Sequence, residues 1–314
     1  MHRALWWRDF EFEGGVVTVK KTGARLRLGP GLIGEVLSWL PFYLVVEGWR
    51  LRRPSRSGPK IWFAPDRPRP WYLIWSVLHF AGARIAKTAG EADAVFCFDD
   101  STTCSALEWP SGARAINRHC QSIAKSHVGT VFERCFGYPL NVDPARFTGQ
   151  LVRKSEANGA HDGRIVEAPC VAEPGFVYQK VIDNSIDGGL VEDLRCPTIG
   201  GQIPLVILKR RPIGKRFANS NASVEVVESQ AVLSAAELGS LADFARAMQL
   251  DWGGLDVLRD KADGRLYVVD VNKTDMGPPI AMAMDDKIRV TKRLAAAFLD
   301  FLRPVPAMDP RRRS

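Results

Sequence analysis

Leu255-Asp256-Val257-Leu258-Arg259, a turn over 260–265, and Leu266-Tyr267-Val268-Val269-Asp270-Val271-Asn272 read as a β-hairpin. The turn holds Asp263-Gly264, a pair suited to tight reversals. Position 263 lies midway between 256 and 270, so antiparallel pairing sets the two aspartates opposite each other. The period of two puts Asn272 on the same face as Asp270, while Val257, Val269 and Val271 form the opposite, apolar face. Facing carboxylates in half-buried strands repel each other and lose hydration. A hard divalent cation removes both problems, and Asp and Asn oxygens with room for water and phosphate suit Mg²⁺. The alternative is a hairpin with its acids out in water.

Upstream of the hairpin, strands are expected at 150–154, 164–167, 176–182, 191–199 and 203–209, with a helix over 235–249. Lys154 ends the first of these strands and opens the Gly-containing loop 155–163, which could close over phosphates. Further upstream, strands at 61–63, 83–85 and 94–98 and a helix near 71–80 form a small α/β lobe. Its last strand runs into Asp99-Asp100-Ser101-Thr102, at the edge where open α/β sheets bind ligands; the competing role is a cap on a following helix. Residues 121–150 read as helix and then loop. The N-terminal part offers strands at 16–19 and 25–28 around Thr22-Gly23, a hairpin followed by an apolar helix over 32–49.

Asp256 followed by Asp270-Val271-Asn272 on the next strand resembles the C-terminal metal motif of the ATP-grasp superfamily. The lead-in Gln249-Leu250-Asp251-Trp252-Gly253-Gly254 is similar to the branch containing the ribosomal-protein glutamate ligases. That family usually carries Glu where this chain has Asp270. The ordered set of motifs spans residues 120–280. The resemblance implies an α/β (α+β) protein with an N-terminal α/β lobe before a two-lobed ATP-grasp unit. Its divisions would be an unassigned 1–57, a pre-ATP-grasp lobe 58–120, the ATP-grasp domain 121–303 and a basic tail 304–314.

It further implies ATP and Mg²⁺ as cofactors, with Asp256, Asp270 and Asn272 on the metal. Lys154 resembles the lysine before the lid and Lys125 the earlier lysine of the same pair. The run Phe176–Lys180 with Val181 and Ile182 resembles the hinge strand, placing Gln179, Lys180 and Ile182 at the nucleotide, with backbone groups near Lys180 and Ile182 on the adenine edge. Glu192-Asp193-Leu194-Arg195, the Gly200-Gly201 turn and Lys209-Arg210 resemble the basic returning strands that point Arg195 and Lys209 at transferred phosphate. Asn221 resembles the asparagine before the last helix. His161 in the lid could assist catalysis. The activity implied is a Mg-ATP-dependent ligase that activates a small-molecule or peptide carboxylate as an acylphosphate for attack by an amine or other nucleophile. The alternative is a nucleotide-binding regulatory or membrane-associated module without ligase activity.

At 314 residues the chain can bury a substantial core without staples. Its six cysteines, Cys97, Cys104, Cys120, Cys135, Cys170 and Cys196, show no zinc spacing and read as core residues of a cytoplasmic protein. The first ten residues lack the order of a signal peptide. The 32–49 helix is interrupted by Glu35, Pro41 and Glu47. It falls short of the roughly 20 clean apolar residues of a spanning helix, which makes it buried or interfacial.

The net charge of +8 suits an anionic partner. No aromatic-basic motif accompanies it, so nucleic acid is not expected, whereas peripheral membrane contact through residues 32–60 is open. Gly29-Pro30-Gly31-Leu32-Ile33-Gly34 satisfies a dinucleotide fingerprint, with Glu47 downstream, but a helix ending at Pro41 is too short for a βαβ crossover. No phosphate-binding G-x-x-x-x-G-K, hydrolase elbow or H-E-x-x-H pair is present.

Overall fold

The structure, a computed structural model, describes residues 9–19, 25–52, 58–105, 113–160, 162–218 and 221–303. His161, the Thr22-Gly23 turn and the arginine tail lie outside these residues. The expected N-terminal hairpin is a three-stranded antiparallel sheet, β1 (Phe10–Glu13), β2 (Val16–Val19) and β3 (Arg25–Arg27). Gly14 and Gly15, both at positive φ, join β1 to β2, a tight reversal for which glycine is suited.

Helix α1 (Pro30–Arg52) follows, and one expectation about it fails. It runs through Pro41 over 23 residues, and its length and composition do meet the measure for crossing a membrane. Of the two placements open to it, burial does not apply to most of the helix: its buried residues are Phe42 and Val46, which pack with Trp75. The dinucleotide reading still fails, for a different reason: β3 belongs to an antiparallel sheet, not to a βαβ crossover.

The α/β lobe is a parallel sheet of order β5-β4-β6-β7, built from β4 (Lys60–Pro65), β5 (Arg84–Ile85), β6 (Ala94–Phe98) and β7 (Arg114–Ile116), with α2 (Leu73–Phe80) after β4. Every residue of β6 is buried, as a continuous apolar run in a parallel sheet covered on both faces should be. After α3 (Lys125–Phe136) comes an antiparallel sheet of order β10-β8-β9, from β8 (Gly149–Ser155), β9 (Arg164–Ala168) and β10 (Phe176–Lys180).

The largest sheet has the order β14-β13-β12-β15-β16, with β11 (Ser185–Ile186) on the side of β12 (Leu190–Ile199). Its other strands are β13 (Val206–Pro212), β14 (Ser223–Val227), β15 (Trp252–Arg259) and β16 (Leu266–Asn272). Helices α4 (Ser229–Val232), α5 (Ala235–Ala247) and α6 (Met284–Leu302) complete the described chain. Ser234 and Glu237 close a reciprocal capping box at the start of α5. Residues of α3 and α5, among them Val128, Phe132 and Phe244, pack with Leu255, Val257 and Tyr267 of the sheet. Ile207 and Trp252 instead join Phe63, Phe96 and the α6 residues Leu294 and Phe298, so one core fuses the parallel lobe to the large sheet.

The expected α/β (α+β) class holds. Strands β1, β7 and β14 and helix α6 were not anticipated. For α6 a signal existed, since Val290, Leu294 and Phe298 recur every four residues and all three are buried. Among the described residues no helix follows Asp99-Asp100-Ser101-Thr102 directly, and the next described regular element is β7.

His79 on α2 stacks edge-on to Trp75, and burial, with the Arg50 charge of α1 adding, pushes its pKa down to about 4. The neutral ring is thus the folded form, while the unfolded chain takes up a proton near pH 6.5. Stability is fully present above that pH and falls as pH drops toward 4, by up to about 3 kcal/mol. Urea midpoints should decline across this window in the wild type, and His79→Gln should flatten the decline.

Candidate active site

The β15–β16 ladder pairs Asp256 with Asp270 and Gly254 with Asn272, the register expected from the turn. An irregularity follows Asp256, so that Val257 opposes Val268 and one extra residue is accommodated on β16. Val257, Val269 and Val271 are buried on the face away from the acids. Neighbouring strands then bring cations to the pair. Arg195 of β12, directly opposite Asp256, donates from Nη1 to Asp256 Oδ2 at 2.6 Å, and Lys209 Nζ of β13 donates to Oδ1 at 2.8 Å. Burial by itself would raise the Asp256 pKa, but Arg195 and Lys209 outweigh it and hold the carboxyl well below its usual range.

Asp270 is placed differently. Its buried Oδ1 has no hydrogen-bond partner. Burial raises its pKa, and the charges of Lys125 and Lys154 only partly offset this. Burial in turn lowers the pKa of Lys154, against the pull of Asp270. Two carboxylates that face each other across the ladder therefore have different surroundings, Asp256 with both oxygens bonded to cations and Asp270 with Oδ1 unbonded although the Lys125 and Lys154 charges act on it. Perturbed groups of this kind cluster where charged ligands are handled.

The structure thus gathers Asp256, Asp270, Arg195, Lys209, Lys125 and Lys154 into one electrostatic cluster. Lys125 is the buried first residue of α3, not a strand residue, and Nζ donates to the Ala157 carbonyl in the β8–β9 loop at 3.0 Å. The same loop is tied to the parallel lobe where Asn158 N donates to Thr102 Oγ1 at 2.8 Å. Asn272 Oδ1 accepts from Thr274 N at 3.0 Å.

The other expected residues sit less directly. The buried Gln179 turns its Nε2 onto Asn141 Oδ1 at 3.1 Å, and so braces β10 against the segment after α3. Lys180 N donates to Leu140 O, and Ile182 O accepts from Arg216 Nη2 at 2.7 Å. Asn221 accepts from Arg211 Nη2 at 3.2 Å, and that guanidinium also pairs with Asp193. Asn221 leads into β14, not directly into a helix.

The expectations overlooked Asp275. It is buried, and Oδ1 accepts from Arg195 Nη2, so Arg195 is held between Asp256 and Asp275. Its carbonyl also accepts from Leu73 N at 2.9 Å, which locks the segment after β16 to the start of α2. Gly254 leaves room for this arrangement: a Cβ there would stand 2.5 Å from Asp275 Oδ2 and 2.7 Å from Arg195 Cζ. No spacing rule could have flagged Asp275, because its partner lies 80 residues away in sequence.

Among the described residues no group of three or more His, Cys, Asp or Glu stands where it could hold a metal. Two aspartates and one amide oxygen form a hard but incomplete set, one carboxylate oxygen of which lacks any partner. Such a set fits a Mg²⁺ that keeps water and phosphate ligands of its own.

No family model matches the chain, and no curated protein matches it. Solved structures similar to it include the ATP-grasp ligase PsnB complexed with a minimal precursor. It shares 14% identity, and the match covers 79% of this chain and 100% of that one at a TM-score of 0.53. PsnB complexed with a phosphomimetic variant of the minimal precursor, Mg and ADP matches at 14% identity, with 78% and 98% coverage and a TM-score of 0.51.

Removing Asp275 leaves a mostly buried guanidinium with one partner instead of two. Asp275→Ala should lower stability by about 3 kcal/mol, read as a lower urea midpoint with an unchanged slope.

Proposed function

Since the chain has the ATP-grasp fold, we propose that it is a Mg-ATP-dependent ligase that converts a carboxylate to an acylphosphate for attack by an amine or other nucleophile. One observation carries the reading: the unpartnered Oδ1 of Asp270 lies in a cluster with Lys125, Lys154, Arg195 and Lys209, which is a surplus of cations around facing carboxylates. That surplus is what a polyphosphate would complete.

Lys125 and Lys154 would face the ATP phosphates, with the β8–β9 loop positioned through Ala157 and Asn158 to cover them and exclude water. Asp256, Asp270 and Asn272 would hold Mg²⁺, whose chemistry when bound is neutralisation of phosphate charge. Arg195 and Lys209 now occupy Asp256; on ligand binding they would turn toward the transferred phosphoryl group, and Asp275 keeps Arg195 anchored as they do so. The acceptor carboxylate oxygen attacks the γ-phosphorus and ADP leaves; the nucleophile then attacks the acyl carbon and inorganic phosphate leaves. The acceptor would enter beside the loop after β6, where Tyr72 donates to Asp100 at 2.7 Å, at the carboxyl edge of the parallel sheet. The acceptor proposed is the carboxylate of a peptide or of a small molecule. A nucleotide-binding module without turnover would not need the Lys/Arg set held so close to the two acids.

ATP with Mg²⁺ should raise the thermal midpoint, because a ligand at one hundred times its Kd adds about 2.7 kcal/mol to the native state. Magnesium alone should do little, and an equal shift with NAD would contradict the assignment. In ADP-release assays with a metabolite and peptide screen, Lys154→Ala should weaken ATP binding more than Lys125→Ala, with folding checked by circular dichroism. The reverse order would move the phosphate contact to α3.

A further inference from the structure

We infer that α1 is a membrane-surface element, docking the protein side-on to an anionic lipid bilayer. Two independent observations meet here. The first is the outward face of α1: Ile33, Val36, Leu37, Leu40, Leu44 and Leu51 are all exposed, although the helix is apolar enough in composition for a bilayer. Positions 33, 37, 40, 44 and 51 follow helical spacing, so they form one continuous stripe. An exposed apolar stripe of this size marks an interaction surface, because a core helix would have it covered.

The second observation is where the charge lies. Residues 16–60 contain nine Lys or Arg and only two Glu, a net +7 against +8 for the whole chain. These charges flank the helix. Lys20, Lys21, Arg25 and Arg27 precede it, and Arg50, Arg52, Arg53, Arg56 and Lys60 end or follow it. Of the two acids, Glu47 is already paired with Arg50 at 2.5 Å. An aliphatic stripe between basic ends matches an acyl boundary beneath anionic headgroups. A second copy of this chain would instead bring one strongly basic patch against another in parallel pairing, or leave most of the charge unmatched in antiparallel pairing.

The opposite face decides between lying on the bilayer and crossing it. Phe42 and Val46 pack on Trp75 of α2, Tyr43 stacks on Trp75 at 5.6 Å, and Trp49 meets Phe80 at 5.0 Å. The Lys292 ammonium of α6 also sits 4.9 Å from the Trp49 ring centroid. These contacts hold α1 along the body of the protein, so it enters the interface sideways. The inference does not depend on the ligase reading.

The test is flotation of the full chain with phosphatidylcholine vesicles, with and without phosphatidylserine, at low and high salt, beside sedimentation in the absence of lipid. Co-flotation with the anionic vesicles, weakened by salt, is expected. Leu40→Glu/Leu44→Glu changes only exposed positions and should keep the circular dichroism spectrum while lowering the partition coefficient by about tenfold or more, as should Arg52→Glu/Arg53→Glu. No flotation with either vesicle would overturn the inference. So would a lipid-free dimer that Leu40→Glu/Leu44→Glu converts to monomer without any vesicle binding, since a second copy would then cover the stripe.

Discussion

Asp256 and Asp270 stand opposite each other on adjacent strands of a mostly buried ladder, and the surrounding arrangement answers the cost of that placement. Two carboxylates so close in a poorly solvated site cannot both stay ionised without nearby positive charge. The protein supplies it unevenly. Arg195 and Lys209 bind both oxygens of Asp256, whereas Asp270 keeps an oxygen without a hydrogen bond, although Lys125 and Lys154 act on it electrostatically. Much else follows from keeping these groups in place: Gly254 clears space for Arg195, Asp275 clamps that guanidinium from the other side, and the Asp275 carbonyl fastens the segment to α2. On the proposed function, the cations around the two acids would take an anionic ligand, and the unbonded oxygen of Asp270 would suit a hard metal ion.

The parts legible in the sequence were those governed by local periodicity. The hairpin register could be read because an Asp-Gly turn fixes its centre, and β6 because five consecutive apolar residues can hardly be anything but a buried strand. Lys154, Arg195 and Lys209 were found through the order of elements, and they do converge on the two acids. The rest was hidden where a residue's role depends on contacts far away along the chain. Asp275 has no neighbouring pattern, and its meaning comes from Arg195. Gln179 was expected at the nucleotide because its strand resembles the hinge strand, and its contact with Asn141, 38 residues away in sequence, had no local signal. For α1 the helix was legible over 32–49, but the interruptions at Glu35, Pro41 and Glu47 hid its full length, and composition could not reveal which face would be left uncovered.

The two surfaces differ in what they require of the sequence. The Asp256–Arg195–Lys209 cluster depends on a few positions held to within a hydrogen bond by three adjacent strands, where a single lost partner leaves a charge stranded. The α1 stripe depends on summed area and summed charge, which no single substitution abolishes.

The most direct test of the account is the Asp270→Asn protein, assayed for Mg²⁺-dependent ADP release next to the wild type, with the thermal midpoint of each measured without ligand. The change is nearly isosteric and removes one of two facing charges. If Asp270 serves as the metal's ligand, turnover is abolished while the midpoint stays level or rises, because a buried, incompletely partnered carboxylate has gone. A fully active Asp270→Asn enzyme would contradict the metal site and the ATP chemistry built on it.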